Sequence, residues 1–463
     1  MIQSFQDTII ALATAPGVGA IAVIRLSGSE AIARCNVFFK GKDLTKIASH
    51  SAHFGTIRNE ADQILDEVLV TVFKGPHSFT REDVIEISTH GSPYIIKQVL
   101  QLFLRNGVRH AKPGEFTQRA FLNGQFDLAQ AEAVADLIAS DNEASHRAAL
   151  NQMRGGFSFK IKNLREKLIH FASMVELELD FGEEDVEFAD RDDLRNLINE
   201  LLLVINQLID SFSMGNVIKE GIPIVIAGKP NAGKSTLLNA LLNEEKAIVS
   251  DIPGTTRDVI EDELILEGVK FRFVDTAGLR ETTDKVEAIG VERTKEQMNK
   301  AAIVVYLFDL DEKIKSNGFD LESVKKELKE ITELGIPNIM IGNKLDKVDA
   351  SLLPETINEL PVIYISAKEQ TNVDQLQQAL LDAVNLDQLK TGDTVVTNAR
   401  HYQGLLETKN SLESVIRGLQ DEVTGDFLAM DIRQSLHYLG EITGEITTED
   451  LLDNIFSKFC IGK

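Results

Sequence analysis

The stretch Gly228-Lys229-Pro230-Asn231-Ala232-Gly233-Lys234-Ser235 has the residue types and spacing of a phosphate cradle. It follows an apolar run, Ile222 to Ala227, and leads into Thr236 to Leu242, which reads as a helix. Strand, glycine-rich turn and helix are the context such a loop needs. Glycine lets successive backbone N–H groups curl around phosphate oxygens, and the new helix points its positive end at them. The candidate phosphate contacts are Asn231, Ala232, Gly233, Lys234, Ser235 and Thr236. Lys234 has the length to reach the outer phosphates, and the Ser235 hydroxyl suits Mg2+.

Four further short pieces follow in order, most of them at strand ends. Gly254-Thr255-Thr256-Arg257-Asp258 offers a second hydroxyl for Mg2+, that of Thr256. Asp275-Thr276-Ala277-Gly278 ends an apolar run, Phe271 to Val274; the aspartate can hold Mg2+ through water and the Gly278 amide can meet a γ-phosphate. Asn343-Lys344-Leu345-Asp346 follows the run Asn338 to Gly342, and the Asp346 carboxylate matches the N1 and N2 donors of guanine. Adenine lacks that donor pair, so Asp346 selects GTP over ATP. Ser366-Ala367-Lys368 follows Val362 to Ile365 and supports the base. Each piece alone is a common turn; in this order they specify a GTPase.

One expected group is absent. Many GTPases orient the attacking water with a glutamine just after the Asp-x-x-Gly piece; here that position is Leu279, which has no polar atom on its side chain. Two residues can compensate. Asn231 can hold a monovalent cation beside the phosphates, where an arginine finger acts elsewhere. Glu287 can polarise the water, and is otherwise one more surface carboxylate.

The elements that position these groups are mixed. Before residue 120, strand-like runs (Ile21 to Ile24, Val68 to Val72, Val84 to Ile87) mix with helical segments (Glu30 to Phe39, Ile95 to Leu104), as in a small α+β or α/β domain. Gly17-Val18-Gly19 precedes a strand, so it reads as a turn and fails the dinucleotide fingerprint. Thr89-His90-Gly91-Ser92-Pro93 reads as a polar loop, with His90 either structural or catalytic. Beyond Leu128 the apolar residues recur at helical spacing. The first such stretch spans Leu128 to Ile138, the second Phe159 to Val175 and the third Leu194 to Phe212, as in a helical bundle. Glu183-Glu184-Asp185 is a solvated acidic loop or a cation site. Helical patterns return at His401 to Leu419 and Asp421 to Leu439. The phosphate-binding part is therefore expected as an insertion into a helical domain. The expected boundaries are 1–120, 121–217 (first helical part), 218–387 (nucleotide-binding part) and 388–463 (second helical part).

The 463 residues suit roughly three domains. No apolar run long enough to span a bilayer is expected, nor a signal peptide. Cys35 and Cys460 make neither a disulfide framework nor a metal-ligand spacing, which favours the cytoplasm. The net charge of -24 argues against a stand-alone nucleic-acid binder with a basic face.

Several stretches together resemble the MnmE (TrmE) family of tRNA-modification GTPases. They are the phosphate loop, Gly254 to Asp258, Asp275 to Arg280, Ile289-Gly290, Pro113 to Asn123, Gly440 to Gly444 and the tail Phe459-Cys460-Ile461-Gly462-Lys463. The resemblance covers essentially the whole chain. It implies a multidomain α/β and α fold: an N-terminal α+β folate-binding-like domain that homodimerises, a discontinuous helical bundle, and an inserted Ras-like P-loop GTPase domain. It implies a K+-dependent GTPase, working with the FAD-containing partner MnmG in a heterotetramer or larger complex. The product is 5-carboxymethylaminomethyluridine at the wobble position of tRNA, with a 5-formyl-tetrahydrofolate-type donor. By resemblance, Asn231 binds K+ together with the loop Ser250-Asp251-Ile252-Pro253-Gly254-Thr255, through Ser250, Ile252 and Thr255. Ser235 and Thr256 match the Mg2+ ligands, and Glu287 matches the glutamate acting on water. Arg25, Glu86 and Lys463 match folate contacts, and Gln125 stands where relatives can carry lysine. Cys460 is either a nucleophile, its thiolate stabilised by Lys463, or a small packing residue. The acidic charge is consistent with a partner supplying much of the tRNA surface. The rival readings are a ribosome-assembly GTPase without a folate role and a folate-dependent transferase that its G domain only regulates.

Overall fold

The computed structural model describes residues 7–180, 191–243, 262–274, 301–315, 318–332, 335–357, 360–384, 394–421 and 423–462. They form two compact units. One comprises Met1–Ala139, Ala149–Ile205 and Gln403–Lys463; the other comprises Ser140–Ala148 and Asn206–Tyr402.

The first unit opens with β1 (Ile9–Leu12), β2 (Gly19–Ser27), α1 (Ala31–Phe38), β3 (Phe39–Lys40) and β4 (Ser51–Arg58). It continues with β5 (Ile64–Phe73), β6 (Val84–Gly91), α2 (Pro93–Arg105), β7 (Arg109–His110) and α3 (Glu115–Leu122). The seven strands make one sheet in the order β3-β4-β5-β6-β2-β1-β7, and among them only β1 and β7 pair in parallel. Period-two alternation explains the sheet. In β5, Val68, Val70 and Val72 are buried while Glu67 and Leu69 are exposed. The buried row packs with Ile32, Cys35 and Phe38 of α1 and Val99, Leu102 and Phe103 of α2. Each fully buried aliphatic or aromatic side chain contributes about 1.5–3 kcal/mol.

Two expectations change here. β1 precedes Gly17 to Gly19, so those glycines join two strands; the dinucleotide fingerprint still fails because no helix follows. His90 lies in β6 rather than in a loop. Its position on the open face of the sheet gives a polar residue strand geometry that composition disguises. The Asp66 carboxylate accepts its backbone N–H at 2.8 Å and pairs with its Nδ1 at 2.7 Å.

The helices of this unit include α4 (Leu128–Ala139), the second half of α5 (Glu143–Met153) from Ala149 on, and α6 (Gly156–Asp180). The first part of α7 (Arg191–Glu220) and the helices Ala399–Gln420, Gly425–Thr443 and Glu449–Phe456 complete the set. In α6, Phe157, Ile161, Leu164, Leu168, Phe171 and Val175 recur every three or four residues and are buried. The helix expected from Asp421 begins at Gly425, behind Thr424 in the extended N-cap conformation. By length and composition alone α7 is long and apolar enough to cross a membrane, contrary to expectation. Its buried residues Leu194, Ile198, Leu201, Ile205 and Leu208 form one stripe, the pattern of a bundle helix.

The second unit is an α/β domain built on a seven-stranded sheet. Its sheet runs β15-β16-β14-β11-β8-β10-β9. The strands are β8 (Ile222–Ala227), β9 (Asp262–Leu266), β10 (Val269–Phe273), β11 (Ile303–Asp309), β14 (Asn338–Asn343), β15 (Thr356–Ile357) and β16 (Leu360–Tyr364). β12 (Ile314–Lys315) and β13 (Gly318–Phe319) form a separate hairpin. β16, β14, β11, β8 and β10 are parallel, and the edge strands β9 and β15 are antiparallel. Central strands buried on both faces need unbroken apolar runs, which is what β8 and β11 are. Helix α8 (Lys234–Asn243) follows β8.

Candidate functional site

The phosphate loop leaves the carboxyl end of β8, where ligands of open parallel sheets bind. Gly228 lies so close to β11 that a Cβ there would stand 2.2 Å from the Leu307 carbonyl oxygen. Asn231 adopts a left-handed backbone (φ 64°), which asparagine tolerates better than most residues. Gly233 is also left-handed (φ 96°), and a Cβ on it would stand 2.2 Å from Asn343 Nδ2. α8 then starts at Lys234, so the loop delivers its last amides at a helix N-terminus. Lys234 Nζ donates to the carbonyls of Gly228 (2.6 Å) and Lys229 (3.0 Å). Burial lowers its pKa, which favours transfer of this cation onto phosphate oxygens. Ala232 is buried, Ser235 is half-buried, and Asn231 and Thr236 are exposed.

The pieces expected to read guanine lie at the ends of β14 and β16. Asn343 is buried and joins three loops: its Nδ2 donates to Ala232 O at 2.8 Å, and its Oδ1 accepts the Ala367 N–H at 3.0 Å. Lys344 is left-handed (φ 69°), and its ammonium pairs with Asp309 at the end of β11. Ser366 Oγ donates to Asp346 Oδ1 at 2.5 Å and accepts the Glu369 N–H. The Ser366 bond holds the Asp346 carboxyl below the usual carboxylate range, so it stays an anion able to accept two donors. Lys368 is exposed and pairs with Glu369 at 3.1 Å.

The first unit brings together a second group. Arg25 on β2 faces Glu86 on β6, with Nε and Nη2 donating to Oε1 at 3.0 and 2.7 Å. The C-terminal tail comes back to this place: Ile461 bridges Pro113, Gly114 N–H donates to Cys460 O, and Arg25 Nη1 donates to Gly462 O at 3.4 Å. Gly462 is left-handed (φ 94°), and a Cβ on it would stand 2.1 Å from Leu12 O. Cys460 is exposed and Cys35 buried, where burial pushes the Cys35 thiol far up. Gln125 is exposed just beyond α3.

The remaining expected residues lie outside the described ones: Ser250, Asp251, Ile252, Pro253, Gly254, Thr255, Thr256, Asp275, Thr276, Ala277, Gly278, Glu287 and Lys463, together with Glu183 to Asp185. Three contributors are not among the expected site residues. Asp309 neutralises Lys344, and the rings of Phe79 and Phe116 stand 5.8 and 5.7 Å from the Arg25 guanidinium.

Two family models match the chain. Residues 8–125 match the GTP-binding protein TrmE N-terminus, and residues 128–460 match the MnmE helical domain. The chain belongs to the MnmE family. It is 60% identical over 462 residues to the tRNA modification GTPase MnmE of Cytophaga hutchinsonii, covering 100% of this chain and 99% of that one. It is 54% identical to the protein of that name from Flavobacterium psychrophilum (99% and 100% covered) and 53% identical to that from Flavobacterium johnsoniae (99% of each). As a member of the MnmE family, this chain is a GTP hydrolase of tRNA modification.

Proposed function

We propose that this MnmE-family chain is a K+-dependent cytoplasmic GTPase whose hydrolysis cycle drives conformational change in a wobble-uridine-modifying complex. The observation that supports the GTP side best is Asn343, which ties the phosphate loop to the base-supporting loop through Ala232 and Ala367. The residues present fit the nucleotide. Gly233 lets Asn343 approach the loop where a Cβ would clash, and among the described residues Lys234 donates to the backbone carbonyls of Gly228 and Lys229. Ser235 and Thr256 would hold Mg2+, which supplies charge neutralisation at the phosphates. Asn231, with Ser250, Ile252 and Thr255, would hold K+. Asp275 and Gly278 would sense the γ-phosphate, and Glu287 would orient water. Asp346 accepts the guanine donors, and Ser366 fixes its carboxylate.

On this reading the first unit binds a 5-formyl-tetrahydrofolate-type donor beside Arg25 and Glu86, with Lys463 and the tail closing the site. The Arg25 guanidinium, already bonded to Glu86 and Gly462, supports it as a rigid donor for a carboxylate or a pterin carbonyl. Cys460 lies within that tail. The chain acts as a homodimer with MnmG, and the modified base is 5-carboxymethylaminomethyluridine.

The test is nucleoside analysis of tRNA from cells in which this chain is the sole family member. Wild type should restore the wobble modification. Glu287→Ala should bind GTP normally, lose most turnover and fail to restore it. Full modification by a variant that cannot turn over GTP would favour a nucleotide-regulated transferase.

A further inference from the structure

Lys270 stands apart from the groups assigned above. It lies in β10, and its side chain is only 11% exposed. Its ammonium reaches Asp141 Oδ2 and Glu263 Oε1, each at 2.7 Å. Its stem lies over Gly221, the left-handed residue between α7 and β8, where a Cβ would stand 2.9 Å from Lys270 Cγ. Burial alone would lower the pKa of such a lysine, but the hydrogen bonds it donates to Asp141 and Glu263 outweigh this and raise it. A second link runs alongside: Ala144 N–H donates to Gly268 O at 3.3 Å, at the turn of the β9–β10 hairpin. Gly268 is left-handed (φ 78°), and a Cβ there would stand 3.0 Å from Glu143 Cβ.

The partners matter because of where they sit along the chain. The hairpin Asp262–Phe273 directly joins two stretches proposed above to touch the nucleotide: the loop ending at Thr256, and Asp275 to Gly278. A paired hairpin moves as one ladder, so a shift at either end is carried to its turn. Asp141 and Ala144 flank the start of α5, where Asn142 Oδ1 accepts the Ser145 N–H as a cap. α5 runs without a break to Met153. Its far end is fixed to α4: Gln152 donates to Ala129 O at 2.9 Å, and Gln130 donates to Met153 O at 3.0 Å. Residues 140–148 belong to the nucleotide-binding unit and residues from 149 to the other, so one helix is shared by both.

We propose that Lys270 is a latch that couples the nucleotide state of the β9–β10 hairpin to helix α5, making α5 the route by which GTP binding and hydrolysis reach the helical unit. This rests on the reading that the stretches on either side of the hairpin contact the nucleotide. Among the described residues Asp141 and Glu263 are the two charged groups facing Lys270, and Asp141 is the one on the α5 side.

The test is hydrogen exchange on the full-length protein with Mg2+ and K+, comparing GDP with a non-hydrolysable GTP analogue. In wild type, α5 amides should exchange at rates differing about fivefold or more between the two states, the low end of allosteric coupling. In Lys270→Met that difference should disappear from α5, while protection of the phosphate loop by the analogue persists. Asp141→Ala severs the link from its more exposed side, leaving Glu263 on Lys270, and should act in the same way; Lys270→Arg should retain the coupling. A nucleotide-dependent change in α5 that survives both Lys270→Met and Asp141→Ala overturns the latch. So does an unresponsive α5 in wild-type protein whose phosphate loop is protected. Absence of phosphate-loop protection in wild type would overturn the GTP reading itself, and the latch with it.

Discussion

Replacing Asn343 with alanine removes one side chain and strands two backbone groups. Asn343 is 3% exposed, Ala232 1% and Ala367 3%, so water does not replace what is lost. The Ala232 carbonyl loses its 2.8 Å donor and the Ala367 N–H its 3.0 Å acceptor. Leaving a buried polar group unsatisfied costs about 1–3 kcal/mol, so the pair costs about 2–6 kcal/mol. For a unit of this size each kcal/mol lowers Tm by about 2–4 °C, so a fall between about 4 and about 24 °C is expected in the transition of the nucleotide-binding unit. The other unit should be unaffected, which calorimetry resolves if the two melt separately. The phosphate loop loses its tether in the same variant, so GDP affinity should fall by about tenfold or more, equivalent to 1.4 kcal/mol. Asn343→Asp separates hydrogen bonding from volume. It keeps the acceptor for Ala367 but sets a carboxylate against the Ala232 carbonyl, and should be at least as damaging as alanine. An Asn343→Ala protein melting within about 1 °C of wild type, with unchanged GDP affinity, would refute this reasoning. So would a harmless Asn343→Asp.

Two other perturbations test the electrostatics. Glu115 is buried beside Arg119 and Arg109. Burial pushes its carboxyl up, but hydrogen bonds from Arg109, the Lys112 amide and Arg119 outweigh this and hold it below its ordinary value of 4.5. A depressed folded-state pKa gives stability present above the unfolded value and lost as pH falls through the folded one. Glu115→Gln should therefore cost about 3 kcal/mol at neutral pH and flatten the loss of Tm below about pH 4.5, as followed by circular dichroism. Ser366→Ala removes the hydrogen bond that holds Asp346 low, so acid should weaken GTP binding at a higher pH than in wild type. GTP-over-ATP selectivity should fall by up to about tenfold in a competition assay, a modest loss because Asp346 is solvent-exposed. An unchanged acid limb in either variant would remove that carboxylate from its assigned role.

The strand, turn and helix around Gly228 to Ser235 are legible in sequence because they are a local device: a run of apolar residues, then a glycine and an asparagine that can turn, then a helix. The α+β character of the first stretch is also legible, from alternation in β5 and helical spacing in α2. What is hidden depends on register and chain return. Asp309 meets Lys344 because parallel β11 and β14 align Asp309 with Asn343, which no local pattern encodes. The tail meets Arg25 through the bridge from Ile461 to Pro113 across most of the chain. His90 misleads because Thr89-His90-Gly91 has the composition of a loop. Gly91 is needed there for packing: a Cβ would stand 2.4 Å from Gly19 O in the neighbouring strand. β11 is an unbroken apolar run, which periodicity alone cannot distinguish from a buried helix segment.

The central claim is that a cation beside Asn231, rather than an arginine or glutamine side chain, completes the hydrolytic site. GTP turnover by the full-length protein in K+ and in Na+ at equal ionic strength, with Asn231→Ala alongside, tests it most directly. Turnover should be strongly stimulated by K+ in wild type, and the stimulation should be lost in Asn231→Ala while GDP still binds. Equal turnover in the two salts, or K+ stimulation that survives loss of Asn231, would contradict it.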